Sequence, residues 1–207
     1  MNTTIIDHPL AAIRLTALRE SGTNRAAFRQ NLYELSIMVV YEAMRSLPTT
    51  TVDIETPLQS TTGAHLAESP LVVPVLRAGL GMLDAAMLLL PESTIGFVGL
   101  KRNEETLLPE VYVDTVPDDL GGLSCLVLDP MLATGGSLVH TCDLLTSANC
   151  GSITVACVLA APEGVATLHD AHPAVAMITA AVDDSLNDVA FIQPGLGDAG
   201  DRQFGVA

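Results

Sequence analysis

The sequence predicts an α/β fold, a mainly parallel, doubly wound sheet with flanking helices. Two observations carry this. Apolar residues make up 49% of the chain and aromatic residues only 3%. The core therefore has to be built from Ala, Val, Leu and Ile, the composition of sheets covered on both faces. From about residue 71, short aliphatic runs alternate with helical stretches across Gly/Pro loops, and strands separated by helices imply right-handed crossovers. A length of 207 residues favours one domain over two small ones, so 1–207 is read as a unit.

In chain order, residues 9–46 read as helical. Phe28, Leu32, Leu35 and Val39 recur at helical spacing, while Arg25, Arg29 and Glu42 fall off that stripe. Pro48 and the Thr-rich run behind it end the segment. Residues 71–75 form a candidate strand and 79–90 a helix stopped by Pro91. Strands follow over 95–100 and 124–128, the latter leading through a loop to a helix over 137–148. A strand over 153–160, a helix over 162–171, a strand over 175–180 and a short one over 189–193 complete the pattern. In such sheets ligands bind beyond the carboxyl ends of the strands.

Composition excludes several function classes. No apolar run reaches the roughly 18 residues of a membrane span. MNTTIIDHPL lacks the basic start and long apolar stretch of a signal peptide, so a cytoplasmic location is expected. The net charge of −15, with no local basic stripe, argues against nucleic acid as a partner. Cys125, Cys142, Cys150 and Cys157 form no CxxC pair or His-containing metal pattern, and read as small, buried or half-buried hydrophobes. His169 and His172, with Pro173 behind them, read as a helix end with solvated imidazoles rather than a metal site.

The few cations are informative. Arg14, Arg19, Arg25, Arg29 and Arg45 lie on what read as surface helices. The others are Arg77, Lys101, Arg102 and Arg202, with none between 103 and 201. An acidic protein that handles a phosphorylated substrate must place its cations and backbone amides at the site itself.

LVLDPMLATGGSLVH, 126–140, is the most telling stretch. An aliphatic strand ends at Asp129, and Thr134, Gly135, Gly136 and Ser137 open a helix. The glycines let backbone amides turn inward, Thr134 or Ser137 adds a hydroxyl, and the helix N-terminus favours an anion. A phosphate monoester fits that cradle without lysine, and Asp129 is placed to accept hydrogen bonds from ribose hydroxyls. A plain capped turn uses the same residue types. The absence of Gly-Lys-Ser/Thr excludes a triphosphate loop. The GxGxxG at 195–200 is a decoy, because too little chain follows for the second strand of a dinucleotide fold.

With these residues on the page, the chain resembles the phosphoribosyltransferase family in its uracil-specific branch. Asp129-Pro130 stands where other branches often have two acids. Four further blocks carry the resemblance: VPVLRAGLGM (73–82), RNEET (102–106), AAPEG (160–164) and PGLGDAGDRQFG (194–205). The resemblance implies a type I phosphoribosyltransferase-like fold with a projecting flap hairpin, about 103–116, and a C-terminal base-binding loop, about 191–205. It implies transfer of a phosphoribosyl group from 5-phosphoribosyl 1-diphosphate to uracil. The donor would be bound by Asp129, Pro130, Met131, Leu132, Ala133, Thr134, Gly135, Gly136 and Ser137. Arg77 and Arg102 would meet its diphosphate, Arg77 being read as a buried cation that needs an anion. Uracil would be held at Ile192, Gly197, Asp198 and Ala199, with Asp198 facing the donor or its Mg²⁺. The metal itself would be carried mostly by substrate oxygens and water.

The resemblance also implies a homo-oligomer and, as in some relatives, activation by a purine nucleotide such as GTP. The chain departs from the branch at Phe191, often Tyr, at Val111 in the flap, and at the run Asp183-Asp184-Ser185. Rival readings are an RNA-binding regulator on the same fold, which the scarcity of basic residues disfavours, and a transferase for another base, which would carry a different 192–199 loop.

Overall fold

The computed structural model describes residues 3–102 and 109–206. A short strand, β1 (Thr3–Ile5), precedes helix α1 (Pro9–Arg19), which has Pro at its start and His8 as N-cap, accepting from the Leu10 N–H at 3.1 Å. Helix α2 (Arg25–Ala43) begins afresh at Asn24, whose side chain accepts from the Ala27 N–H at 3.0 Å. The stretch expected as helical is thus two helices broken at 20–24 and ending before 46. Its apolar stripe is buried as expected: Phe28, Leu32, Leu35 and Val39 all lie in the core.

The Thr-rich region forms an antiparallel hairpin, β2 (Thr49–Glu55) with β3 (Ser60–Leu66), paired to no other strand. Next come β4 (Leu71–Leu76), α3 (Leu80–Leu89), β5 (Val98–Arg102) and β6 (Pro109–Asp114). The middle of the chain holds β7 (Ser124–Leu128), β8 (Met131–Leu132), α4 (Gly136–Ser147), β9 (Ser152–Ala160) and α5 (Pro162–Ala171). It closes with β10 (Ala176–Val182), β11 (Ser185–Leu186), β12 (Ile192–Gln193) and α6 (Ala199–Phe204).

The main sheet runs β1-β10-β9-β7-β4-β5-β6, with β8 added to β9. Every pairing in it is parallel except β5 with β6. That antiparallel pair falls where the flap is expected; its stretch from 103 to 108 lies outside the described residues. The strand read at 95–100 starts later, with Ile95 making only an isolated bridge to Val72.

Both faces of the sheet are covered, as the aliphatic composition requires. Along β7, Leu126 and Leu128 join a core layer under α1, α2 and α3, while Cys125 and Val127 join the layer under α4 and α5. This is the period-two alternation of a strand buried on both sides. Cys125, Cys142 and Cys157 are buried and Cys150 half-buried, all four as free thiols. Burial pushes the Cys125 and Cys142 thiols up to about 12.

One expectation is corrected here: the imidazoles at the end of α5 are not solvated. His169 is buried, with Nε2 2.9 Å from the Thr3 hydroxyl of β1, and His172 packs 2.9 Å from Asp143. The edge strand β1 meets His169 and helix α4 meets His172, and neither contact is visible from the helix end alone. No described helix is long and apolar enough to cross a membrane.

Candidate active site

The carboxyl ends of β4 and β7 lie side by side, since the two strands pair in parallel from Leu71↔Cys125 to Pro74↔Leu128. Asp129 follows one end and Arg77 the other, joined by a cis Leu76–Arg77 peptide. The chain after Asp129 is tethered rather than loose: the Pro130 carbonyl accepts from the Val158 and Leu159 N–H groups at 3.1 and 3.0 Å.

Beyond β8 the backbone turns at Gly135, which has φ +89° and serves as N-cap of α4 with no side-chain hydrogen bond. An L-residue disfavours that conformation, which explains a glycine there. Neither the Thr134 nor the Ser137 hydroxyl caps the helix, so its first amides have no capping partner. Together with Asp129, Met131, Leu132, Ala133 and Leu138, residues 134–137 line a cleft of about 90 Å³. Of the nine donor-loop residues expected, only Pro130 does not line it.

Asp129 is the buried acid of this cleft. Desolvation pushes its carboxyl up to about 7, opposed in part by the Met131 N–H, which donates to Oδ1 at 3.3 Å.

A second cleft, of about 210 Å³, adjoins the first: Met131 and Ala133 line both. It contains all four residues expected for the base, Ile192, Gly197, Asp198 and Ala199, together with Ala78, Ala190, Phe191 and Gly200. Of these last four, Ala78 and Gly200 lie within the blocks at 73–82 and 194–205, and Ala190 and Phe191 lie shortly before the second; none is a residue that the resemblance assigns to the base. Their place in or beside those blocks is what signals them in the sequence. Asp198 caps α6 by accepting from the Asp201 N–H at Oδ1, 2.8 Å. The decoy GxGxxG run ends in this short helix, with no strand after it.

Two further arginines are placed differently from expectation. Arg77 is not buried: its side chain is 47% exposed and its Nη2 lies 3.3 Å from Asp201 Oδ1. Arg77 lies just beyond the carboxyl end of β4, so the apolar run before it does not enclose the guanidinium. Arg19 is not a free surface charge, being paired with the buried Asp183. Arg102 ends β5, and its side chain lies outside the described residues.

The site therefore joins an anion cradle to a small, largely apolar cleft across shared walls, suited to a substrate with a phosphate at one end and a reacting carbon near a planar base. The comparisons agree. Residues 5–206 match the family model described as uracil phosphoribosyltransferase. Proteins named uracil phosphoribosyltransferase from Nocardioides sp. and Corynebacterium diphtheriae are 49% and 46% identical to it. They cover 100% and 99% of this chain and 99% and 97% of their own. The solved structure of the AQ2163 protein from Aquifex aeolicus superposes with a TM-score of 0.91 at 36% identity over 99% of both chains. An adenine phosphoribosyltransferase from Leishmania donovani shares the fold at a TM-score of 0.59 and 12% identity, over 91% of this chain and 87% of its own.

Proposed function

Because the chain belongs to the uracil phosphoribosyltransferase family, we propose that it transfers the 5-phosphoribosyl group of 5-phosphoribosyl 1-diphosphate to uracil, giving UMP and diphosphate. The observation that carries this reading is the shared wall: Met131 and Ala133 face both the cradle at the start of α4 and the base cleft. A ribose held between them has its phosphate end and its anomeric carbon directed to different clefts.

The 5-phosphate sits on the uncapped amides of α4, where backbone N–H groups and the helix dipole favour an anion. Ionised Asp129 accepts from the ribose hydroxyls. Uracil N1 forms its bond to the anomeric carbon as the bond to the diphosphate oxygen breaks, and the N1 proton is released. The transition state resembles the oxocarbenium ion of glycoside chemistry. The protein contributes position and positive charge rather than covalent chemistry.

Arg77 meets the departing diphosphate. Its present partner, Asp201, is a half-exposed carboxylate at 3.3 Å, a contact weak enough to exchange for a more highly charged anion. Arg102, at the end of the strand beside β4, supplies the second cation. Uracil offers an N3–H donor and two carbonyl acceptors to the backbone at Ile192 and Gly197–Ala199. Cytosine reverses the pattern at two ring positions and leaves buried groups unpaired, which gives strong rejection.

The residues fit a Mg²⁺ that arrives with the donor. Among the described residues no group of three or more potential ligands converges, and Asp198 has one carboxylate oxygen committed to its helix cap. The ion, once bound on the diphosphate, would neutralise leaving-group charge, with Asp198 as the carboxylate at hand. We also propose that the chain works as a homo-oligomer, supported by the exposed Leu10, Ile13, Tyr41, Leu58, Met87 and Leu88.

The direct test is chromatographic identification of the product from uracil, donor and Mg²⁺. UMP with stoichiometric diphosphate is expected, and consumption of the donor without UMP would contradict the reading.

A further inference from the structure

The base loop is held by side chains that touch neither cleft. Arg19, the last residue of α1, donates from Nη1 to Asp183 Oδ2 at 2.7 Å and from Nη2 to Oδ1 at 2.5 Å. The same Nη1 donates to the Gly195 carbonyl at 2.9 Å, and the Gly195 N–H donates to Asp183 Oδ2 at 2.8 Å. Both polar groups of one loop residue are thus tied to one ion pair. Asp183 is itself fixed, its N–H donating to the Ala160 carbonyl at the end of β9 at 2.8 Å.

The next loop residue is tied from the other side. The Leu196 carbonyl accepts from Arg202 Nη1 at 2.8 Å; Arg202 also donates to the Leu18 carbonyl and, at 2.7 Å, to the Glu20 carbonyl. Its guanidinium stacks 4.4 Å over the Phe28 ring. The backbone at 195–196 is therefore stitched to the end of α1. Gly197, which follows at the cleft, makes no hydrogen bond to another described residue.

We propose that Arg19 and Asp183 are positioning residues that set the geometry of the base loop, and through it the affinity and selectivity for the base. The inference rests on the uracil reading above. Stability alone does not account for the arrangement. Ion pairs buried to this degree contribute little net stability over apolar replacements, yet this one spends its extra donor and acceptor on the two polar groups of a single glycine. Burial pushes the Asp183 carboxyl up, but the Arg19 hydrogen bonds and the Gly195 N–H outweigh it, leaving the carboxyl below its ordinary range. The pair is ionised at neutral pH and the clamp is closed. Bidentate guanidinium–carboxylate geometry is directional in a way an ammonium cannot reproduce.

The test is steady-state kinetics of Arg19→Lys and Asp183→Asn beside the wild type, varying uracil and donor separately and adding cytosine as a competitor base. Arg19→Lys keeps a cation at Asp183 but cannot serve both carboxylate oxygens and the Gly195 carbonyl. We expect KM for uracil to rise about tenfold or more and the preference for uracil over cytosine to fall, with KM for the donor within twofold. A folded Arg19→Lys protein with unchanged uracil KM, or with both KM values raised in parallel, overturns the proposal. If Asp183→Asn does not fold, Arg19→Lys decides alone. Failure of both to fold also overturns it, in favour of a purely structural pair. Absence of UMP from the wild type would instead sink the uracil reading, and this inference with it.

Discussion

Gly164 offers a perturbation in which two effects oppose each other and the structure decides between them. It lies in the first turn of α5, within the AAPEG block, and packs against the phosphate loop. On helix propensity alone Gly164→Ala should stabilise the protein by about 1 kcal/mol. A Cβ built there, however, falls 2.3 Å from the Ala133 carbonyl oxygen, well inside the 3.4 Å at which ordinary contact begins. The obstacle is backbone, so it cannot rotate away.

Relief requires a relative shift of about 1 Å between α5 and the wall shared by both clefts. Overpacking of this kind costs about 1–3 kcal/mol, enough to cancel or exceed the propensity gain. Misplacement of reacting groups by about 1 Å costs on the order of 100-fold in rate. The expected outcome is a melting temperature lowered by up to about 8 °C and a kcat/KM for the donor reduced by about two orders of magnitude. Circular dichroism melts and initial rates against donor concentration measure both. A donor kcat/KM within twofold of the wild type, with a raised melting temperature, would refute the assignment of 133–137 as the donor's seat.

Other predictions follow from the same site. Asp129, with its carboxyl raised to about 7, must ionise to accept from ribose hydroxyls. Donor affinity should fall about fivefold between pH 7 and 6, and calorimetry in buffers of different ionisation heat should show proton release on binding. Asp129→Asn should abolish that pH dependence. The sign for stability is opposite: the free protein binds this proton more tightly than the unfolded chain, so this contribution is present at low pH and lost as pH rises through 7. Arg77→Ala should cost about 100- to 1,000-fold in kcat by removing charge at the leaving group. Asp201→Asn, which removes only a half-exposed partner, should leave the melting temperature within about 2 °C. Parallel losses in the two variants would contradict the role given to Arg77.

What was legible in the sequence is what is local. The alternation from residue 71, the stripe on α2 and the passage from Asp129 to Ser137 each lie within one element or one turn, where a single physical rule suffices. The hairpin β2–β3 escaped because nearly every side chain in it is exposed, so no buried face imprints alternation, and its threonines read as a helix stop. Strand β1 is three residues long and gains its place only by pairing with β10, far along the chain. The clamp at Asp183 was out of reach for the same reason. Arg19 and Asp183 are separated by 164 positions, and nothing in their neighbourhoods marks one for the other beyond an acid in a run that departs from the family pattern. Arg77 has apolar neighbours in sequence, but it lies past the end of β4 and its side chain is exposed.

The central claim is that a backbone-lined loop at 192–199, set beside a phosphoribosyl cradle, selects uracil. The measurement that bears on it most directly is nucleotide formation by the purified protein from the ribose diphosphate donor and Mg²⁺, with uracil, cytosine, hypoxanthine and orotate supplied in turn. Nucleotide from uracil alone is the predicted result, and turnover of hypoxanthine or orotate at a comparable rate would contradict it.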